Sequence, residues 1–319
     1  MTSDFAQNLR RALEKSLGFA LKPLERLDGN IALNFKAVRA SDGFTFAVKC
    51  SPPERHVSFV RLLTHLKELE GTKAVSRIFP DGLSKFRDYD VVCLSWCAGE
   101  RLFPDRLSDA EMAAFADDYL SFSAVLQKTS MVLPPDPVLD WRAKVLEKCT
   151  GFRSRGIRRL LERELTSEGL TYRSELMKTV HGDLHHGNFL FVNGRVSGYF
   201  DLEDFCWGYP TDDLVRYFVC ASEHLRWYEQ HRKRRILELF AIMVSRMPYS
   251  AHEWNVALNA LLMRKVFSKS ERGPFGFAQT ANLLFRARYC RLMKSLARQY
   301  AERSGEDDQV PGPQEEVRT

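Results

Sequence analysis

Between residues 24 and 50 the chain reads LERLDGNIALNFKAVRASDGFTFAVKC, in which apolar stretches alternate with polar ones and break at Asp28-Gly29-Asn30 and Ser41-Asp42-Gly43. Alternation punctuated by residues that tolerate tight turns is the mark of a small antiparallel meander. DYDVVCLSWCAG, residues 88–99, adds one more strand that runs into a turn. Beyond residue 99 the spacing becomes helical, apart from FLFVNGRVSGYFD at 189–201, where Asn193-Gly194 signals a hairpin. A chain written this way is confined to an α+β class, with a small antiparallel-sheet part first and a larger, mainly helical part after it.

Helical patterns fill in the rest. Phe5, Leu9, Ala12, Leu13 and Leu17 fall near helical spacing, and so does HVSFVRLLTHLKEL over 56–69. Ser108-Asp109-Ala110-Glu111 is a capping box, which predicts a helix from there to about Gln127, ended by the proline-rich MVLPPDPVLD at 131–140. Residues 141–178 read as helical and basic, and 214–301 as several helices separated near Met247-Pro248 and Gly273-Pro274. The expected divisions are 1–98, 99–302 and a disordered tail at 303–319, whose only aliphatic side chains are two valines.

Composition narrows the function classes. With 45% hydrophobic and 28% charged residues the chain is an ordinary globular protein rather than a disordered one. A net charge of +6, from 47 basic and 41 acidic residues, is too diffuse to mark a nucleic-acid surface. Seven cysteines without a CxxC pair indicate neither a disulfide framework nor a zinc knuckle. No apolar run approaches the roughly 18 residues of a membrane span, and the first residues lack the apolar core of a signal peptide, so a cytoplasmic protein with reduced thiols is expected.

The chemistry concentrates in HGDLHHGN, residues 181–188. Three readings compete. His181, Asp183 and His185 alternate and could hold zinc or iron, as in a metal-dependent hydrolase, but Gly182 and Gly187 argue for a loop and no distant ligand completes a tetrahedral set. A polar turn with capping histidines is the bland reading. The third is phosphoryl transfer, which needs a carboxylate beside an acceptor hydroxyl and hard oxygen ligands for Mg²⁺ that leave positions open for phosphates. His181-Gly182-Asp183-Leu184-x-x-x-Asn188 keeps the register of the kinase catalytic loop H-R-D-L-x-x-x-N, and Asp201-Leu202-Glu203 stands where D-F-G would.

HGDLHHGN, then FDLED, then GYPTDDL, over residues 181–214, resembles the aminoglycoside phosphotransferase and choline kinase superfamily of small-molecule kinases. The resemblance implies a two-lobed protein-kinase-like fold using ATP and Mg²⁺, with a small-molecule hydroxyl as acceptor. It implies Asp183 as the catalytic base or hydroxyl-orienting carboxylate, Asn188 and Asp201 as Mg²⁺ ligands, and His185 as a residue shaping the loop near the phosphates. His181 would brace the loop and Asp213 would anchor the segment after it. Glu203 and Asp204 could assist the metal or the acceptor, or simply cap the loop. Tyr209 departs from the family pattern by replacing an aspartate that is chiefly structural there. Gly182 replaces the arginine of the protein-kinase loop, and no A-P-E segment follows, both of which favour a small-molecule acceptor over a protein.

In the N-terminal part, FTFAVKC offers Lys49 as the strand lysine that grips the α- and β-phosphates. Gly29 is the lone glycine of LDGNIALNF, where a glycine-rich loop would lie. Glu54, just after Pro52-Pro53, is the nearest acid for pairing with Lys49, or a plain helix-terminal charge. Residues 91–99 resemble the interlobe hinge, with Cys93 and Cys97 read as packing. For the acceptor, Trp207, Tyr209, Trp227, Tyr228 and Trp254 could build an aromatic cage, whereas HRKRR at 231–235 is too basic for a polycationic aminoglycoside. The expectation is therefore an ATP- and Mg²⁺-dependent phosphotransferase acting on a sugar, a glycan precursor or an amino-alcohol. A catalytically weak kinase-like binding protein and a hydrolase using the histidines are the alternatives.

Overall fold

The computed structural model describes residues 2–27, 32–79, 82, 84–129, 159, 172–223, 225, 229–270 and 277–303. Gly29, the proline-rich 131–140, Trp227, Tyr228, the tail from 304 and most of the basic stretch 141–178 lie outside the described residues.

The meander forms as its alternation requires. Strands β1 (Glu25–Leu27), β2 (Leu33–Val38), β3 (Thr45–Ser51), β4 (Lys85–Phe86) and β5 (Tyr89–Ser95) make one antiparallel sheet in the order β1-β2-β3-β5-β4. Phe46, Val48 and Cys50 of β3 enter a core with Phe35, Val91 and the leucines Leu9 and Leu13 of helix α1 (Thr2–Leu17). Each such fully buried side chain contributes about 1.5–3 kcal/mol, enough to hold a helix whose length alone is marginal in water. Because successive strand side chains alternate, Lys49 emerges on the face opposite that core.

Helix α2 (His56–Glu68) buries Phe59, Leu62, His65 and Leu66, a stripe at helical spacing. Helix α3 (Asp109–Leu126) starts at the expected capping box: the Glu111 amide donates to Ser108 Oγ at 3.2 Å, and the Ser108 amide donates to Glu111 Oε2 at 2.8 Å. Farther along, β6 (Lys178–Val180) pairs with β9 (Cys206–Gly208), and β7 (Phe189–Val192) with β8 (Arg195–Tyr199). Asn193 and Gly194 have φ of 50° and 73°, the left-handed pair that closes a two-residue hairpin. Helices α4 (Pro210–Glu223), α5 (Gln230–Arg246), α6 (Ala251–Ser270) and α7 (Phe277–Arg303) follow. Helix α4 begins earlier than the expected 214 because Pro210 is preorganised for a first helical position.

The chain divides into two compact units that are not consecutive halves. One holds Met1–Leu102, Ser121–Leu133 and His186–Phe205; the other holds Phe103–Leu120, Pro134–His185 and Cys206–Thr319. The first unit's opening segment ends at Leu102, and the β7–β8 hairpin returns to that unit. The reason is backbone bonding: Glu100 and Phe191 exchange amide hydrogen bonds of 3.0 and 2.9 Å, the Tyr199 amide donates to Ala74 O at 2.8 Å, and Ser197 Oγ donates to Ala98 O at 2.5 Å. In the second unit an edge-to-face chain of buried rings, Phe218–Phe240 and Phe240–Trp254 with centroids 5.3 Å apart in each pair, packs α4, α5 and α6 together. Among the described residues no helix is long and apolar enough to cross a membrane.

Candidate active site

In the first unit the hairpin brings together residues that are distant in sequence. Phe189 lies opposite Tyr199, and the Phe200 amide donates to Asn188 O at 2.8 Å, so Asn188 and Asp201 leave the same open end of the ribbon. Asn188 is buried, whereas the Asp201 side chain is 50% exposed. Asp201 adopts a left-handed conformation, φ 54° and ψ 50°, which costs a non-glycine residue about 1 kcal/mol and tips the chain into the single turn Leu202–Asp204. That turn is clamped from α2. The His65 Nδ1–H donates to the Leu202 carbonyl at 2.5 Å, and the His65 ring stacks on Phe205 with centroids 4.8 Å apart and 18° between planes. Burial pushes the His65 pKa down, against the hydrogen bond to Leu202, which favours the protonated ring.

Lys49 reaches this turn from β3. Its ammonium donates to Asp201 Oδ1 at 3.0 Å and to Glu203 Oε1 at 2.8 Å, with 12% of its side chain exposed. Burial pulls its pKa down, but the charges of Asp201 and Glu203 and the hydrogen bonds to both outweigh burial, so the pKa is raised and the lysine stays charged. Glu203 Oε2 is buried and has no hydrogen-bond partner among the described residues. Glu54 is exposed in the single turn before α2, and no ion pair joins it to Lys49. Cys93 is buried in the sheet, and Cys97 lies half-buried with its Sγ 3.4 Å from Ser76 Oγ, the packing roles expected of both.

In the second unit the first half of the octet is held by α4. Asp213, fully buried, accepts the His181 amide at 2.8 Å, the Gly182 amide at 2.9 Å and the Tyr119 hydroxyl at 3.2 Å. Burial raises the Asp213 pKa, against the charge of His181 and these hydrogen bonds. Gly182 turns with φ of 78°, a conformation that glycine adopts without penalty. Asp183 then pairs with Arg216, one helical turn beyond Asp213, and its Oδ2 lies 3.6 Å from His185 Nε2. The adjoining cavity, lined by Val180, Gly182, Asp213, Arg216, Ala257 and Leu261, has a volume of about 10 Å³, room for roughly one water.

Several sequence expectations change here. Tyr209 is buried; it accepts the Arg173 amide on its hydroxyl, and its own amide donates to Asp212 Oδ2 at 2.9 Å. Together with the fully buried Trp254 it belongs to the core rather than to an aromatic cage, while Trp207 is 39% exposed. The basic run 231–235 is largely spent on ion pairs: Arg232 with Asp105 and Glu229, Arg234 with Glu238, and Arg235 with Asp109. Arg216, His65 and Tyr119 went unread in the sequence; only Arg216 carried a signal, its position three residues after Asp213 on the same helix. Among the described residues no group of three or more His, Cys, Asp or Glu side chains is arranged to hold a metal ion.

A strand lysine facing an aspartate at the open end of a hairpin, beside a five-stranded antiparallel sheet that precedes a mainly helical region, defines a kinase-like phosphotransferase. Residues 24–241, more than half of the chain, match the phosphotransferase enzyme family known as APH, and the chain belongs to that family. No curated protein sequence gives a match. Among solved structures, an aminoglycoside phosphotransferase from Alicyclobacillus acidocaldarius superposes with a TM-score of 0.63 at 15% identity, over 92% of this chain and 96% of that one. ADP-bound APH(2'')-Ib gives 0.54 at 14% identity, over 93% and 99% of the two chains. A thermostable APH(4)-Ia mutant in a ternary complex with ADP and hygromycin B gives 0.52 at 11%, over 90% and 98%. Likenesses at these identities establish the kinase-like fold.

Proposed function

We propose that the protein transfers the γ-phosphate of ATP, with Mg²⁺, to a hydroxyl of a small metabolite such as a sugar, a glycan precursor or an amino-alcohol. The observation that carries this reading is the placement of Asn188 and Asp201 at one open end of the hairpin with Lys49 bonded to Asp201. The side chains suit a hard cation: Asn188 and Asp201 present oxygen, and Asp201 is open to solvent. When bound, Mg²⁺ would neutralise charge on the phosphate oxygens. Lys49 would add a cation to the α- and β-phosphates. Binding of ADP by the structural neighbours is consistent with this assignment.

Asp183 would orient the acceptor hydroxyl and receive its proton, with Arg216 and His185 fixing the carboxylate. Positioning and charge neutralisation then supply most of the rate. The acceptor class rests on chemistry rather than on a formed pocket. With Trp254 and Tyr209 in the core, a quaternary-ammonium cage would have to come from other aromatics; with the 231–235 run paired internally, that run adds little pull on an anion. A panel of sugars, amino-alcohols and antibiotics assayed for acceptor-stimulated ADP release tests the reading. One class should raise release well above the acceptor-free rate; no stimulation by any hydroxyl compound, alongside no binding of Mg·ATP, would overturn it.

A further inference from the structure

Among the described residues of the first unit, no helix glutamate forms with Lys49 the ion pair on which a kinase-type lysine ordinarily depends. In that arrangement a glutamate on the helix after the lysine strand holds the ammonium. Here α2 reads HVSFVRLLTHLKE, whose sole acid is Glu68 at its end, and Glu54 ahead of the helix is exposed. The α2 residue that does face the metal-binding turn is His65, and it grips the Leu202 carbonyl rather than Lys49. The carboxylate comes instead from the turn itself, through Glu203 Oε1 at 2.8 Å from Lys49 Nζ.

We propose that Glu203 is the positioning residue for Lys49, the lysine anchor having moved from the helix to the turn, with His65 coupling α2 to that turn by its hydrogen bond to Leu202. The inference rests on the phosphotransferase reading above and deepens it. Asp201 and Glu203 share the lysine unequally in their surroundings: Asp201 is 50% exposed and Glu203 11% exposed. The exposed carboxylate, Asp201, is the one that a hydrated cation can reach from solvent. The enclosed one keeps the ammonium in place when that happens. Its second oxygen, Oε2, is buried and has no hydrogen-bond partner among the described residues, which leaves Lys49 as the cation set against this carboxylate there.

The test reads the lysine directly. An amine-selective acylating probe reacts with the neutral amine, so the pH profile of Lys49 labelling, followed by peptide mass spectrometry on the full chain, reports how strongly the ammonium is held. Glu203→Gln keeps the shape and removes the charge, leaving burial to act with less opposition. It should raise Lys49 labelling at pH 8 severalfold, because the amine loses the enclosed carboxylate that holds it in place. Glu203→Asp should restore part of the difference, and His65→Gln should leave the profile near that of the wild type. ADP binding measured in EDTA should weaken in Glu203→Gln, while the Mg²⁺ concentration for half-maximal effect on ADP binding stays unchanged. An unmoved labelling profile in a folded Glu203→Gln protein would overturn the proposal. So would a shifted Mg²⁺ midpoint with unmoved labelling, which would make Glu203 a metal ligand instead. Labelling needs no nucleotide, so it judges Glu203 even if the wild-type protein binds no ATP.

Discussion

Asp183 owes its orientation to a residue that no loop motif names. Its carboxylate pairs with Arg216, whose side chain is 14% exposed, while Asp183 itself is 35% exposed, so the pair is shielded enough to fix a rotamer yet open enough to admit a hydroxyl. Arg216 in turn sits on the helix whose Asp213 holds the amides of His181 and Gly182, so a single element sets both the backbone and the side chain of the loop. Removing the arginine takes away the guanidinium and leaves His185 Nε2 at 3.6 Å from the carboxylate. Arg216→Ala should therefore lower turnover about tenfold to a hundredfold, the scale of a small misplacement at the reacting group, with little change in the KM for ATP. Arg216→Lys should recover only part of the loss, because lysine keeps the charge without the planar fork. Steady-state kinetics on both substrates checks this, and wild-type turnover in the alanine variant would detach Arg216 from the site.

At the scale of elements, the segment 97–100 is pinned to the β7–β8 ribbon at a point where only glycine fits. Gly99 has φ of 139°, and a Cβ there would lie 2.6 Å from Phe191 O and 2.8 Å from Ser197 Oγ. Gly99→Ala should cost about 2 kcal/mol, from backbone strain and from parting Glu100 from Phe191, seen as a lower urea midpoint; an unchanged midpoint would mean that the contact relaxes freely. The ribbon itself was legible, because Asn193-Gly194 between alternating apolar runs has few other uses, and so was the start of α3, where Ser108 and Glu111 satisfy each other's amides. The lysine's partners were not. Glu54 was the nearest acid in sequence, but Lys49 finds its carboxylates 152 and 154 residues away, a distance that no local spacing encodes. The run HRKRR shows the same limit: Arg232 and Arg235 meet Asp105 and Asp109 from far upstream, pairings that no local spacing encodes.

For the molecule as a whole, the division of the chain runs through the motif. His181 to His185 belong to the second unit and His186 to Asn188 to the first, which also holds Lys49, Asp201 and Glu203. Residues proposed to hold Mg·ATP thus fall on one side of the break, and the residue proposed to handle the acceptor hydroxyl on the other. If the roles follow that division, binding and transfer should separate cleanly in variants. ATP with Mg²⁺ at about a hundred times the Kd should stabilise the wild-type protein by about 2.7 kcal/mol, read as a rise in Tm, and EDTA should remove most of it. Asp183→Asn should keep nearly the full rise while losing transfer by about a hundredfold to ten-thousandfold, since it leaves the nucleotide's partners intact and withdraws only the base. Asp201→Ala should lose most of the rise, because it removes the carboxylate that Lys49 and the cation would share. Equal loss of the rise in both variants would mean that the two groups of residues act as one binding site, and the assignment of separate roles to them would fail.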